Sequence, residues 1–291
     1  MNNDVIVLND SIINNLYPNR IKQDDNLNSY SELFICDDEV YKIYTKDFDL
    51  VEQNINILDN IFTKYNGLSN IKELVLPNKY LLYNGHIVGF TMPYIKGKTF
   101  FDIMNEKKYD KEYIKNIFIK LIKLLDKFKK LPFEFAIGDL HERNIILDKD
   151  NNINIIDCDS FILDNNTVKS DDGNYYRKYN IDSIKFGDYY AIFCMMCMYL
   201  FKSEYHSYEP ISKFIEENSE YLNKDIYNIL NKIVDNNFVM KVEDINKLFS
   251  YDNLFIEIDS EELTKKLDLE LERISRIVKG ELKKGDVINY G

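Results

Sequence analysis

The stretch from residue 136 to residue 161, AIGDLHERNIILDKDNNINIIDCDSF, carries the most information about the fold and the chemistry of this chain. It places Asp139 and Asn144 five residues apart in a polar loop, and Asp157 follows thirteen residues later at the end of an isoleucine-rich strand. Three oxygen-bearing side chains at the open ends of hairpins can hold a hard cation such as Mg²⁺. This ion takes one or two carboxylates together with phosphate oxygens and water. A carboxylate left free beside them can accept a proton from a hydroxyl group. Asp and Asn are also ordinary turn residues, which is the structural alternative for all three positions.

The residues before this stretch predict strands and one helix. Two β-rich runs within residues 32–44 flank a pair of aspartates, which is typical of a hairpin turn. A second hairpin is expected over 79–95, because an Asn-Gly pair separates two apolar runs there. Between the hairpins, residues 47–66 predict a helix, since apolar side chains recur at helical spacing at Leu50, Val51, Ile55, Leu58, Ile61 and Phe62.

The residues around and after the stretch predict mostly helices. One helix is expected over 110–130, followed by two short strands near 145–148 and 153–156. Further helices are expected from residue 186 to about residue 250, and a charged amphipathic helix within 256–291. Strands and one helix first, with helices after them, is the order of a two-lobed α+β enzyme.

Composition excludes several classes of protein. The chain has 291 residues and a formal net charge of −12, and its pI near 4.9 argues against non-specific nucleic-acid binding, which needs basic surfaces. The longest apolar run, residues 189–201, is too short to span a membrane and predicts a buried helix. The first ten residues lack the basic and apolar regions of a signal peptide. Four cysteines without a paired framework indicate a reducing compartment, so we expect a cytoplasmic protein.

The loop motifs resemble those of the protein-kinase-like superfamily. The run Gly138-Asp139-Leu140-His141, followed by Asn144, resembles the catalytic loop of aminoglycoside and choline phosphotransferases more than the H-R-D-x-x-x-x-N of protein kinases. The Asp-x-Asp of residues 157–159 is also closer to those small-molecule kinases than to D-F-G. Asp188, by contrast, resembles the helix-start aspartate that braces the catalytic loop in eukaryotic-type Ser/Thr protein kinases. The chain therefore combines features of both branches.

The resemblance implies a role for each residue of these loops. Asp139 would orient the acceptor hydroxyl and take its proton. Asn144 and Asp157 would bind Mg²⁺. Asp159 is either a second metal contact or a turn residue, and His141 is either a hydrogen-bond donor to the γ-phosphate or a plain loop residue.

The same resemblance extends to the nucleotide-binding strand. Lys42 matches the V-A-I-K lysine that holds the α- and β-phosphates, and its acidic partner on the 47–66 helix is either Glu52 or Asp59. Glu52 is favoured because the family residue is Glu. A gatekeeper and a hinge that bonds the adenine edge through its backbone would follow, at Met92 and at Pro93, Tyr94 and Ile95 respectively.

Two departures from the family pattern bear on activity. There is no glycine from Asn19 to Tyr41, so residues 27–31 would stand in place of the glycine-rich phosphate loop. Gly138 replaces the arginine that couples the catalytic loop to a phosphorylated activation segment, so no such control is expected.

We therefore expect a bilobal protein-kinase-like α+β fold, with a β-rich lobe over 1–94, a larger helical lobe over 95–255 and a tail over 256–291. The expected activity is ATP- and Mg²⁺-dependent transfer of the γ-phosphate to a hydroxyl group, with a protein Ser/Thr acceptor favoured. The alternatives are a pseudokinase or nucleotide-binding interaction module, a small-molecule kinase of the aminoglycoside or choline type, and AMP transfer by a kinase-like fold.

Overall fold

A computed structural model describes residues 5–21, 31–45, 48–164, 183–201, 215–216 and 218–256, with the side chains of 48–53, 66, 183 and 184 left out. The chain is a mixed α+β protein with a small β-rich N-terminal region and a helical C-terminal part. The residues outside the described part include 27–30 of the segment predicted in place of the glycine-rich loop, 165–182, and 257–291 of the predicted tail.

A five-stranded sheet forms the frame of the N-terminal region. Its strands are β1 (Val5–Leu8), β2 (Ser31–Cys36), β3 (Glu39–Tyr44), β4 (Lys79–Tyr83) and β5 (His86–Pro93). They lie in the order β1-β4-β5-β3-β2, with β1 parallel to β4 and the other pairs antiparallel. The predicted hairpins are β2–β3 and β4–β5, and both are confirmed.

Turn chemistry explains both hairpins. Asp37 and Asp38 have φ values of 50° and 63°, and Asn84 and Gly85 have values of 50° and 82°. Two consecutive residues with positive φ make the turn whose twist matches the two strands it joins, and Asn, Asp and Gly adopt that conformation at the least cost.

Helix α2 (Phe48–Thr63) confirms the predicted helix, with ends a residue or more inside the predicted bounds. Its buried side chains Ile57, Leu58 and Ile61 join the main core. A short helix, α1 (Asp10–Leu16), precedes β2 and was not predicted; it is capped by Asn9, whose side chain accepts a hydrogen bond from the Ile12 amide at 2.9 Å.

Backbone pairing joins the N-terminal region to the loops that follow. Strand β6 (Gly97–Thr99) pairs with β8 (Ile145–Asp148), which pairs with β9 (Ile153–Ile155). Ile155 also donates its amide to the Glu73 carbonyl at 2.7 Å and accepts from the Val75 amide at 2.9 Å. The segment between α2 and β4 therefore extends the small sheet, and this fixes the turn after β9 relative to α2.

The C-terminal part is helical, as predicted. Its helices are α3 (Phe100–Asn105), α4 (Lys111–Phe128), α5 (Asp188–Phe201), α6 (Lys224–Asp235) and α7 (Val242–Ser250). Two more strands, β7 (Phe135–Ala136) and β10 (Ile162–Leu163), form an antiparallel pair. In sequence, β7 precedes the β8–β9 hairpin and β10 follows it.

Helix α5 confirms the predicted buried helix, because its side chains are buried on most of its circumference. Within the part of the chain that the structure describes, no helix is long and apolar enough to cross a membrane.

Candidate functional site

Lys42 is the centre of a buried group of charged and polar side chains. The alternation of β3 turns Lys42 to the same face as Val40, toward the core, and its ammonium lies 5.8 Å from the centre of the Phe90 ring. The ammonium forms an ion pair with Asp157 Oδ1 and another with Asp159 Oδ1, the latter at 2.8 Å. A lysine buried to this degree needs such partners to remain charged.

Asp159 is the most fully bonded member of the group. It lies in a single turn of 3₁₀-helix, Cys158–Ser160, that follows β9. Besides Lys42, it accepts a hydrogen bond from the Tyr44 hydroxyl at 2.6 Å and a long one from Asn54 Nδ2 at 3.5 Å, both to Oδ2. We call Lys42, Tyr44, Asn54, Asp157 and Asp159 the Lys42 cluster.

The electrostatics of the Lys42 cluster follow from burial and pairing. Burial alone would lower the pKa of Lys42, but the charges of Asp157 and Asp159 outweigh it and the net shift is upward. Burial raises the pKa of the Asp159 carboxyl, against the opposing effect of the Lys42 ammonium. Burial and the Asp159 charge both raise the pKa of Tyr44, so its hydroxyl stays protonated and acts as a donor.

Asp157 differs from Asp159 in its exposure and its backbone. Its side chain is 29% exposed, against 3% for Asp159. Its φ of 73° puts it in the left-handed region, where a non-glycine residue is strained and is often found at functional sites. The Ser160 hydroxyl donates to the Asp157 carbonyl at 2.7 Å and holds this conformation.

The loop from Ile137 to Asn144, here called the Asp139 loop, lies directly beside this turn. Gly138 has a φ of 82°, and a Cβ at this position would lie 2.2 Å from the Ser160 carbonyl oxygen, so only glycine permits the contact. Asn144 Nδ2 donates to the Asp139 carbonyl at 3.1 Å, and the Ile156 amide donates to the Asn144 carbonyl at 3.0 Å. The two loops are therefore joined by backbone contacts at both ends of the Asp139 loop.

Two polar side chains of the Asp139 loop, those of Asp139 and His141, are accessible to solvent. The Asp139 side chain is 61% exposed, and its Oδ2 lies 3.8 Å from His141 Nε2. His141 Nδ1 accepts a hydrogen bond from the Arg143 amide at 3.2 Å, which orients the ring with Nε2 toward Asp139. The Arg143 guanidinium lies over the Phe101 ring at 4.0 Å and anchors this end of the loop to α3.

Asp188, the first residue of α5, supports the Asp139 loop through a hydrogen bond. Its Oδ2 accepts a hydrogen bond from the Ile137 amide at 2.9 Å. Burial raises the pKa of Asp188 to about 7, although the Ile137 and Gly138 amides oppose that shift. The residue therefore sits where the sequence predicts a brace for the loop.

The predicted gatekeeper and hinge lie at the end of β5 and just beyond it. Met92 is buried and paired with Val40 across the sheet. Of the hinge residues, Pro93 is exposed, and Tyr94 and Ile95 are partly buried. The Tyr94 amide already donates to the Asp38 carbonyl at 2.8 Å, so any adenine contact would use other backbone groups of the segment.

The structure describes the side chain of one of the two candidate acids on α2. Asp59 accepts a hydrogen bond from the Tyr80 hydroxyl and is not among the described partners of Lys42. Glu52 lies on α2, but its side chain lies outside the described part of the chain. Among the described side chains of α2, the one that reaches the Lys42 cluster is Asn54.

Sequence analysis missed two members of the Lys42 cluster. Tyr44 could have been found, because it lies two residues after Lys42 on the same strand and therefore on the same face. Nothing in the sequence singles out Asn54, whose contact with Asp159 joins residues 105 positions apart.

The described side chains near Asp157 are suited to bind Mg²⁺ only together with phosphate oxygens and water. Among the described residues, no group of three or more His, Cys, Asp or Glu side chains could hold a metal ion. The second carboxylate oxygen of Asp157 accepts no hydrogen bond from the described residues. Asn144, the other predicted metal ligand, lies in the adjoining Asp139 loop. One carboxylate and one amide oxygen fit a Mg²⁺ ion whose other ligands are phosphate oxygens and water.

No protein-family model matches the chain, and no curated protein matches it significantly.

Proposed function

We propose that the protein is an ATP- and Mg²⁺-dependent phosphotransferase with a bilobal protein-kinase-like fold, its lobes divided near residue 94, and that its acceptor is a Ser or Thr hydroxyl of a protein. One observation carries the proposal: Lys42, from the N-terminal sheet, meets Asp157 and Asp159, from the turn after β9, directly beside the loop that contains Asp139 and Asn144. Lys42 is 115 positions from Asp157 in sequence, and each of the three segments supplies the residue type that phosphoryl transfer needs.

Each residue has a distinct task in this proposal. Lys42 binds the α- and β-phosphates as a fixed positive charge. Asn144 and Asp157 would hold Mg²⁺, which supplies charge neutralisation at the transferred phosphate. Catalysis of this kind is mainly positioning and electrostatic stabilisation, which a buried, paired lysine is suited to provide.

Asp139 carries the proton transfer. The acceptor oxygen forms a bond to the γ-phosphorus while the bond from that phosphorus to the β,γ-bridging oxygen breaks, and the hydroxyl proton passes to the Asp139 carboxylate. The exposure of Asp139 supports this role, since an acceptor approaching from solvent can reach it. The His141 ring lies beside the Asp139 carboxylate, with Nε2 3.8 Å from Oδ2, and from there it can donate a hydrogen bond to a phosphate.

A nucleotide-binding module without transfer activity is the second candidate. The Lys42 ammonium already pairs with Asp157, and the segment 19–41 contains no glycine, the residue type that lets backbone amides approach phosphates most closely. Such a protein would bind ATP without consuming it. A small-molecule acceptor of the aminoglycoside or choline type is favoured by the Gly-Asp-Leu-His form of the loop and by the Asp-x-Asp of residues 157–159.

Incubation with [γ-³²P]ATP and Mg²⁺, with a mixed protein acceptor, tests the proposal. The wild type is compared with Asp139→Asn, Asp157→Asn and the control Asp126→Asn, an exposed aspartate on α4 paired with Lys129. We expect label on protein in the wild type and the control, and a loss of about 10²–10⁴-fold in Asp139→Asn.

The other outcomes separate the candidates. ATP that stabilises the protein against heat without any consumption would establish the binding module. Consumption only with an added amino alcohol would establish a small-molecule kinase. Full transfer activity in Asp139→Asn would refute the assigned role of Asp139.

A further inference from the structure

We propose that Asp159 is the positioning residue that orients Lys42 toward the nucleotide phosphates, and that Asp157 alone supplies the carboxylate for the metal. This inference rests on the proposed function. It revises two expectations drawn from the resemblance, in which Asp159 was a candidate metal ligand and an acid on the 47–66 helix oriented the lysine.

The bonds of Asp159 leave little capacity for a cation. Oδ1 is paired with Lys42 at 2.8 Å, and Oδ2 accepts from Tyr44 at 2.6 Å and from Asn54 at 3.5 Å. Its side chain is almost completely buried. Mg²⁺ demands near-octahedral coordination and keeps several water ligands, which a buried carboxylate with three donors around it cannot accommodate.

Asp157 has the opposite properties. Its ion pair with Lys42 uses one oxygen, and the side chain is partly open to solvent. When Asp157 turns to a metal ion, Lys42 would lose one of its two described anionic partners. Asp159 remains, and its charge keeps the ammonium ionised and fixed while the other hydrogens of the ammonium become available to phosphate oxygens.

The surrounding elements hold Asp159 in a single position. Tyr44 and Lys42 lie on one face of β3, so the same rigid strand carries both the lysine and a donor to its partner. Asn54 adds a contact from α2. Asp159 therefore joins the strand, the helix and the turn after β9.

Nucleotide affinity with and without metal separates the two roles. A fluorescent methylanthraniloyl derivative of ATP is titrated into full-length protein, first in EDTA and then in excess Mg²⁺. If Asp159 orients Lys42, Asp159→Asn weakens binding by about tenfold or more in both conditions, because the lysine loses a charged partner. Asp157→Asn should bind at least as well as wild type in EDTA but lose the gain in affinity that Mg²⁺ gives.

Two further variants guard against a merely structural effect. Asp244→Asn removes a similarly buried carboxylate in α7, bonded to Lys232 at 2.9 Å, and should leave both affinities unchanged. Tyr44→Phe weakens the support of Asp159 without changing any charge. We expect it to lower the metal-free affinity several-fold and to keep the full Mg²⁺ enhancement.

Two patterns would overturn the inference while the proposed function stands. In the first, Asp159→Asn binds normally in EDTA and loses only the Mg²⁺ enhancement, which would make Asp159 a metal ligand. In the second, Asp159→Asn and Tyr44→Phe bind like wild type in both conditions. Absence of nucleotide binding by the wild type in both conditions would instead reject the proposed function, and the inference with it.

Discussion

The Lys42 cluster and the Asp139 loop carry the same kinds of side chain in opposite surroundings. In the cluster, Lys42 and Asp159 are almost completely buried and bonded to one another. In the loop, Asp139 is largely exposed and His141 partly exposed, with His141 Nε2 3.8 Å from Asp139 Oδ2, and the loop is held by backbone and amide contacts instead. Gly138 of the loop lies against Ser160, the residue that follows Asp159, so the two regions are close neighbours.

This contrast indicates a division of labour. A buried charge is held in one position, and leaving it unpaired costs free energy. These properties suit groups that must be in place before a nucleotide binds. Exposure keeps a carboxylate available to a partner that arrives from solvent. Changes of the buried residues Lys42 and Asp159 should therefore reduce stability as well as nucleotide affinity, whereas changes of Asp139 should reduce turnover alone.

The largest effect on stability is expected for Lys42→Met. The substitution leaves Asp157 and Asp159 without their shared cation, and breaking a buried pair in this way costs about 3–5 kcal/mol. The free energy of unfolding is measured by urea denaturation. Lys79→Met, which removes a half-exposed ion pair with Glu39, is the control and should cost about 1 kcal/mol or less. Equal losses in the two variants would show that the burial contrast has no energetic meaning.

The next prediction concerns Asp188, a buried carboxylate that supports the Asp139 loop. Its pKa is raised from 3.8 to about 7 in the folded protein, so the folded state retains a proton that the unfolded state has released. Its contribution to stability is therefore complete below pH 4 and is lost as the pH rises through about 7, by at most roughly 4 kcal/mol, since one pKa unit is worth about 1.4 kcal/mol.

Asp188→Asn removes this titration, which allows the contribution to be isolated. Unfolding free energies of the wild type and the variant are measured from pH 4.5 to pH 8, and other titrating groups cancel in the difference. The stability of the wild type relative to the variant should fall across this range. A difference that stays constant with pH would show that Asp188 does not titrate there, and the loop would then rest on a permanently charged carboxylate.

The sequence predicts the framework of both regions because their signals are local. Asn84-Gly85 fixes one hairpin and the apolar spacing of residues 47–66 fixes α2, and both are present as expected. Strand β1 was missed because Val5 and Val7 are exposed and the strand is short, so it shows no clear alternation of buried and exposed residues. The pairing of residues 73–75 with β9 also leaves no local signal, since it joins segments about 80 residues apart.

The candidate site, too, could be predicted from the sequence only in part. Motif spacing identified Lys42, Asp139, Asn144, Asp157 and Asp159, which the structure brings to two adjoining loops and one facing strand. The spacing could not distinguish the tasks of Asp157 and Asp159, because they are two residues apart and have the same chemistry. Their difference arises from burial and from the bonds donated by Tyr44 and Asn54, which depend on tertiary packing.

The smallest expected effect, Tyr44→Phe, tests the contrast most directly because the chain contains a matched exposed pair. The Tyr44 hydroxyl donates to Asp159 at 2.6 Å in the buried cluster, and the Tyr83 hydroxyl donates to Asp10 at 2.6 Å on the surface. Tyr44→Phe leaves Asp159 Oδ2 with the long contact from Asn54 only, so we expect it to lower the free energy of unfolding by about 1.5–3 kcal/mol. At Tyr83→Phe, water replaces the lost donor, and the change should stay within about 0.5 kcal/mol. Urea denaturation of the two variants beside the wild type measures both values. Similar losses would mean that geometry alone sets the strength of these bonds, whereas the expected gap assigns it to the exclusion of water from the Lys42 cluster.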